Sequence, residues 1–481
     1  MNKKIILGGI AIAAFVLAPI GIKKMIDNSI DLKKSELNKV GVLLSIDNSE
    51  GYLKTTRDFT ITIKDETKFK KYFKNILSEK YPIYEMILSR FEQNNGESLD
   101  EFLKGVVFKG NINNSNISPS SDISVYTYLD KLSENIMTEI KNDAESSKII
   151  LPLFEKEAFA FNMVFDSDTK LKTLALKDID ENIKTTSKYG NTTEGTFQIL
   201  GNKVINNSTE KEIVSNIKFD KINMDVKSKK NANFNINNLK FNINYENKFI
   251  NNSKTEIGSI NLDVDTNKNL SLGNTKISSG GVVSNGVYSA NSKILTKNFK
   301  LVDGNKNVNL DSLNLNLYLN DLDYKNLQNL NKAYMNFESI NIESMSLPRN
   351  ERMTQLEKVQ GPLLLEVNSF LNNGLSLKLD TDLTGLKTEE LKLKNLKLKI
   401  DAKLDKNNLN IQTINQFVIL SLLDVKANIE MLEEDYINLI SIFNPNLTQV
   451  VSMYAKRENG KVLFDLDLKK GKIEVNGQKV N

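Results

Sequence analysis

Few stretches of this 481-residue chain place reactive groups at a working spacing. Asp263-x-Asp265-x-Asn267-x-Asn269 imitates the start of a calcium loop, where alternate oxygens converge on a hard cation. Such a loop needs glycine at its sixth position and glutamate at its twelfth, and this chain has Lys268 and Asn274 there. An exposed strand edge or turn is the better reading. Ser215-x-x-Lys218 matches the first acyl-transfer box of penicillin-recognising enzymes, but neither an SDN nor a KTG box accompanies it. Gly280-Gly281 and Gly286 lack the Lys-Ser/Thr of a phosphate loop. The pairs Glu389-Glu390 and Glu433-Glu434 are adjacent, so their carboxylates point apart; helix capping or solvation suits them better than acid/base work.

Composition removes whole classes of chemistry. Cysteine, histidine and tryptophan are absent. Zinc, haem and iron–sulfur centres lean on Cys or His ligands, serine and cysteine triads need a His base, and no disulfide can form. Carboxylates, lysine, tyrosine and hydroxyls remain. No catalytic, cofactor-binding or metal-binding residue is assigned, and no cofactor is expected. The net charge is +4, and without Lys3, Lys4, Lys23 and Lys24 the chain carries 60 basic and 60 acidic residues. That balance does not support a nucleic-acid footprint.

The amino terminus reads as a membrane anchor. Ile5–Ile22 holds no charge, and its 18 residues would reach about 27 Å as a helix, just enough to cross a bilayer core. A cleaved signal peptide is the rival, with Val16-Leu17-Ala18 as the cleavage site; Pro19, directly after it, argues for an uncleaved segment. Lysines flank both sides, so charge does not set the orientation.

Beyond the anchor, Val40–Ile46 and Phe59–Ile63 read as strands around a turn at Ser49-Glu50-Gly51. Helical spacing follows at Phe69, Phe73 and Ile76, at Ile83, Ile87 and Phe91, and at Leu129, Leu132, Ile136 and Ile140. From about residue 157 to 320 the period is two. A phase swap recurs in it, in the form h-x-h-x-x-h-x-h-x-h with h apolar. It fits Ile217–Val226, Phe234–Ile243, Val308–Leu317 and Leu391–Ile400, with weaker copies at Ile257–Val264 and Phe337–Ile342. A β-bulge or a two-residue hairpin would each produce it, and the bulge is favoured because it keeps the apolar residues on one side of a bent strand. Later helices are expected at Leu327–Tyr334, at Met353–Phe370 with a kink at Pro362, and on either side of Pro445. Two arms meeting at Lys469-Lys470-Gly471-Lys472 read as a closing hairpin.

The expected fold is α+β and β-rich: a large curved antiparallel sheet of bulged amphipathic strands, a few flanking helices and one N-terminal transmembrane helix. The expected segments are 1–24 (anchor), 25–156 (strand pair and helical subdomain) and 157–481 (extended sheet). The simplest role for the apolar stripes is a core beneath the helices, in which Leu315→Asp or Leu398→Asp would bury an unpaired charge.

Four places resemble the YdgA-like family, a bacterial membrane-anchored domain of unknown function. They are Ile5–Ile22, VGVLLSIDNSEGYLKTTRDFTITI with its Gly turn, QGPLLLEVNSFLNNGLSLKLDTDL, and FDLDLKKGKIEVNGQKV. The turn has Glu50-Gly51 where the family usually has Arg-Gly. The resemblance implies a single-pass inner-membrane protein with its bulk in the periplasm, and it carries over no catalytic residue. The expected function is a non-enzymatic scaffold or binding role in the envelope, as a homo-oligomer with a lipid or envelope-protein partner. A lipid- or acyl-chain-binding groove is one alternative; a hydrolase or transferase using carboxylates or lysine is another.

Overall fold

The computed structural model describes residues 30–50, 54–72, 103–115, 122–142, 144–166, 170–186, 192–207, 213–227, 231–246, 249–265, 267–344, 347–408, 410, 416–442 and 445–480. The anchor expected over 1–24, and the helical spacing from Phe73 to Phe91, lie outside these residues. Among the described residues no helix is long and apolar enough to cross a membrane. The chain packs as two compact units, residues 1–208 with 215–233 and residues 209–214 with 234–481.

Unit one is an antiparallel meander under short helices. Its elements are α1 (Ile30–Lys39), β1 (Val42–Glu50), β2 (Lys54–Ile63), β3 (Val107–Ser115), β4 (Ile123–Lys131), α2 (Glu134–Asn142), α3 (Ala144–Glu155), β5 (Ala160–Phe165), β6 (Leu171–Leu176), β7 (Ile179–Thr186), β8 (Thr192–Leu200), β9 (Lys203–Asn206) and β10 (Ile213–Lys227). Each strand from β1 to β6 pairs with the next. The strand pair and the later strands therefore share one sheet through Thr127↔Phe161. β6 and β7 lie end to end against β9 and β8, which lie end to end against β10. Where the β6–β7 line breaks, Asn202 replaces the missing backbone partner: its Oδ1 accepts from Leu176 N at 2.6 Å and its Nδ2 donates to Leu176 O at 2.9 Å. Alternate residues build a true core. Phe161, Phe165 and Ile140 are 0 % exposed, and Leu129 is 1 % exposed. Full burial of each such side chain contributes about 1.5–3 kcal/mol.

One expected helix is shorter than its spacing implied. Leu129 belongs to β4, where Val125, Thr127 and Leu129 alternate inward, and the helix begins only at Glu134, burying Ile136 and Ile140. Positions four apart share a face in a strand as well as on a helix, so Leu129 satisfied both periods.

Unit two is a longer antiparallel array. It comprises β11 (Ala232–Tyr245), β12 (Asn251–Val264), β13 (Lys268–Leu272), β14 (Thr275–Ser284), β15 (Val287–Asp303), β16 (Lys306–Asp323), α4 (Tyr324–Glu343), α5 (Arg349–Asn372), β17 (Leu375–Lys387), β18 (Lys392–Leu404), α6 (Gln416–Leu422), β19 (Leu423–Leu432), α7 (Glu433–Ile440), α8 (Pro445–Met453), β20 (Lys456–Glu458), β21 (Lys461–Lys469), β22 (Lys472–Val475) and β23 (Gln478–Lys479). β13 and β14 lie end to end between β12 and β15; the ladder then runs β15–β16–β17–β18–β19–β21, and β21 pairs on its far side with β20 and β22. α4 and α5 form a helical hairpin inserted between neighbouring strands β16 and β17, and α5 stays helical through Pro362. The weak strand copy expected at Phe337–Ile342 lies in α4, because Leu327, Leu330, Tyr334 and Phe337 continue a helical stripe.

The phase swap is not a hairpin: β10, β11, β12, β16 and β18 each run unbroken through it. Nor does it shift the register of neighbouring strands. Lys297↔Ser312 and Phe299↔Leu310 keep one register on both sides, as do Ser312↔Thr384 and Asn309↔Lys387. Adjacent strands swap at the same place, so Asn298, Asp311, Gly385 and Lys394 fall in one transverse row. Asn238, Asn298 and Gly385 there take left-handed φ values of 53°, 56° and 67°. A short polar side chain on one strand lies over a glycine on the next. A Cβ on Gly385 would sit 2.0 Å from Asp311 Oδ2, and one on Gly201 2.0 Å from Asp220 Oδ2; at Gly258 and Gly273 it would first meet the backbone oxygens of Asn237 at 3.0 Å and Lys297 at 2.6 Å, with Asn238 and Asn298 Cβ at 3.1 Å and 3.2 Å. Register shifts do occur elsewhere, at Val107/Phe108 and Val164/Phe165 in unit one and at Tyr288/Ala290 in unit two, where Asp321 is left-handed.

Gly385 and Gly460 have similar φ values, 67° and 72°, but nothing lies within 4 Å of a Cβ on Gly460. Gly460→Ala should cost about 1 kcal/mol for conformation alone. Gly385→Ala should cost about 2–4 kcal/mol in urea unfolding, because Asp311 must also move. Equal costs would contradict the packed row.

Candidate functional site: a two-faced sheet

In the arm of unit two that runs away from the swap row, the ladder sorts its side chains by face, with Thr381 the exception on the aliphatic side and Tyr318 on the charged side. One face carries charge. Lys378, Asp401, Lys426 and Asp467 lie side by side across four strands, and Asp380, Lys399, Asn428 and Asp465 form the next row. Lys378 pairs with Asp401 at 2.9 Å and Lys461 with Glu430 at 2.6 Å; the Lys461 hydrogen bond holds the Glu430 carboxyl below its usual range. Between these rows runs a trough of about 630 Å³.

The other face is aliphatic. Leu315 faces Thr381, Leu398 and Ile429 in turn; Leu317 faces Leu379, Ile400, Ala427 and Leu466; Leu319 faces Leu377, Ala402, Val425 and Leu468. α7 and α8 cover one end of it. Met431, Tyr436 and Val462 are buried there against Leu396, Ile429, Phe464 and Val451. Beyond that end Leu315, Leu317, Leu379, Leu398 and Ile400 are half-buried, and none joins a buried cluster. The expected core beneath the helices is therefore absent from most of this face. α5 buries no residue fully, and α4 and α5 pack chiefly on each other. Leu315 and Leu398 are partly rather than fully buried, so a charge at either would be only partly shielded from water.

α7 is fastened to the swap row by a carboxylate the sequence did not mark. Asp435 is 1 % exposed, and its two oxygens accept the backbone N–H groups of Lys394 at 2.7 Å and Asn395 at 2.8 Å. The ladder leaves these amides unpaired at the swap, and buried amides need partners. No residue-type pattern signals such a bond, because its partners are backbone. The neighbouring Glu433 and Glu434 open α7, as the sequence suggested, and pair with Arg457 and Lys394.

The remaining sequence candidates do not converge. Asp263 and Asn269 face each other across the β12–β13 hairpin and hydrogen-bond directly, closing the calcium-like stretch on itself. Ser215 and Lys218 lie in β10, with Lys218 ion-paired to Asp220. Gly281 is a packing glycine that lets Tyr288 approach, and Gly286 belongs to the β14–β15 turn. Among the described residues no group of carboxylates could hold a metal ion.

A further cluster of titratable groups lies in unit one. Tyr126 OH donates to Glu157 Oε2, with Tyr128, Asp130 and Lys109 nearby. Glu157 ends α3 in a left-handed conformation, φ 52°, with Ala158 N bonded to Leu153 O and Glu157 N to Phe154 O, a turn that usually takes glycine. Burial, then the Glu157 bond, raise the Tyr126 pKa, so the phenol stays protonated at neutral pH and acts as a donor.

No protein-family model matches the chain, and no curated protein or solved structure matches it either.

Asp435→Ala should cost about 2–4 kcal/mol, because two amides lose a charged acceptor; hydrogen exchange at Lys394 and Asn395 should quicken with it, and unchanged exchange would contradict the anchoring. Tyr126→Phe should cost about 1 kcal/mol near neutral pH. A raised folded pKa contributes stability below the unfolded value of about 10 that is lost as pH rises above it. The gap between wild type and Tyr126→Phe in alkaline urea titrations should therefore narrow, and a gap that widens would refute the donor role.

Proposed function

We propose that this chain is a membrane-anchored, non-enzymatic binding protein of the bacterial envelope whose leucine face in unit two holds the acyl chains of lipids. The carrying observation is that face: an in-register aliphatic surface, half-buried and without a helix layer over most of its extent. An exposed apolar patch of a few hundred Å² on a soluble body usually marks a binding surface. Its side chains are almost purely aliphatic, which suits flexible alkyl chains better than planar ligands. The uncharged Ile5–Ile22 segment and the resemblance to the YdgA-like family support an inner-membrane anchor with a periplasmic body, which would work beside its ligand source.

The test is mass spectrometry of organic extracts from residues 27–481, expressed in the periplasm and purified without detergent. Phospholipid or fatty acid near one equivalent is expected. Leu315→Lys combined with Leu398→Lys should empty the protein yet move stability by only about 1 kcal/mol, since a lysine stem can lie on the face with its ammonium in water. Wild-type protein free of lipid would overturn the reading.

A further inference from the structure

The charged face of unit two holds a like-charge contact that the ladder does not neutralise. Asp467 of β21 and Glu474 of β22 lie directly opposite each other, an arrangement that costs stability in an antiparallel pair. Lys426 faces Asp467 on one side and Lys479 faces Glu474 on the other, yet among the described residues neither acid forms an ion pair. Asp467 Oδ1 is enclosed and accepts no hydrogen bond; an enclosed acceptor left unbonded is costly and calls for an explanation. Both acids line the trough of about 630 Å³, a volume typical of small-ligand sites. Further along it, Lys378 and Asp401 satisfy each other at 2.9 Å. Lys426 and Lys399 also line the trough, are exposed, and form no ion pair among the described residues. They are diagonal neighbours on β19 and β18, and Asp380 lies beyond Lys399, on the side away from Lys426. Two unmatched acids therefore stand at one end of the trough and two unmatched ammonium groups beside them.

We infer that the trough binds a short peptide with free termini, its ammonium between Asp467 and Glu474 and its carboxylate between Lys426 and Lys399. Neighbouring strands lie about 4.8 Å apart, so the two charge sites are separated by about two spacings, or about 10 Å. An extended chain advances about 3.4 Å per residue, so about three residues span that gap and a single amino acid does not. A polyamine fits less well, because Lys426, Lys399 and Lys378 line the same trough. The site lies on the face away from the leucines, so it stands whether or not those hold acyl chains.

The experiment titrates the full chain, in a neutral maltoside detergent, with trialanine, N-acetyl-trialanine, trialanine amide and alanine by calorimetry. Trialanine should bind saturably, and blocking either end should weaken it about tenfold. Alanine should bind more weakly still. Asp467→Asn with Glu474→Gln should abolish the preference for a free amino end. The same variant should raise the peptide-free unfolding midpoint by about 2–4 °C, because the like-charge contact is gone. Lys426→Gln with Lys399→Gln should abolish only the preference for a free carboxyl end. No saturable binding of trialanine, or equal affinity for free and blocked peptides, would overturn the inference and leave the trough as a solvated face. Binding of spermidine in place of trialanine would overturn it in favour of a polyamine.

Discussion

Register is the constraint on which unit two depends. Side chains along a strand alternate with a period of two, so a one-residue slip anywhere would exchange leucines for lysines and aspartates across the sheet. The phase swap is a built-in hazard of this kind, since it inverts the alternation inside a single strand. The hazard is contained because neighbouring strands swap together. Asp311 lies over Gly385, Asn298 over Gly273 and Asn238 over Gly258, so the ladder keeps its register on both sides of the row. Asp311 fits only where Gly385 lacks a Cβ, and at Gly258 and Gly273 it is the neighbouring backbone that comes too close for one, which makes the row a lock on strand alignment as well as a kink.

Similar strands meet two fates in this chain. In unit one, helices close over the sheet and Phe161, Phe165 and Leu129 leave water altogether. In unit two the same alternation meets cover at one end under α7 and α8, which are held down by Asp435 and by Tyr436 packed on Phe464, and at the other end where α6 meets β21 and Leu468 is buried. The rest of the array is held by long backbone ladders, aliphatic neighbours within the sheet and cross-strand ion pairs such as Lys378–Asp401. Exposed pairs of this kind contribute about 1 kcal/mol or less each, so the ladder and the in-plane leucine contacts carry more of the stability. An uncovered aliphatic face is a cost to a soluble body, and a bound alkyl chain would offset it.

Much of this architecture is legible in the sequence. The alternation of β15 to β19, the helical stripes around Leu327 and Met353 and the turn at Lys469–Lys472 follow from local periods and turn residues. The swap is visible too, but not its cause, because the matching residues sit far apart in sequence: Asp311 meets Gly385 across the whole α4–α5 insertion. Leu129 and Phe337 are misplaced by sequence for a simpler reason, since each fits two periods at once. Whether the leucine face is covered does not follow from alternation, which assigns residues to a side and says nothing about what packs on it. Asp435 leaves no trace in the pattern, because it bonds to backbone amides.

The central claim, that the leucine face stands open, is tested most directly by carbene footprinting of residues 27–481 after delipidation. Leu315, Leu317, Leu398 and Ile400 should take up label readily, while Phe161, Met163 and Leu129 of unit one stay protected. Equal protection of both sets would mean that the leucine face belongs to a closed core and has no room for an alkyl chain, which would contradict the claim.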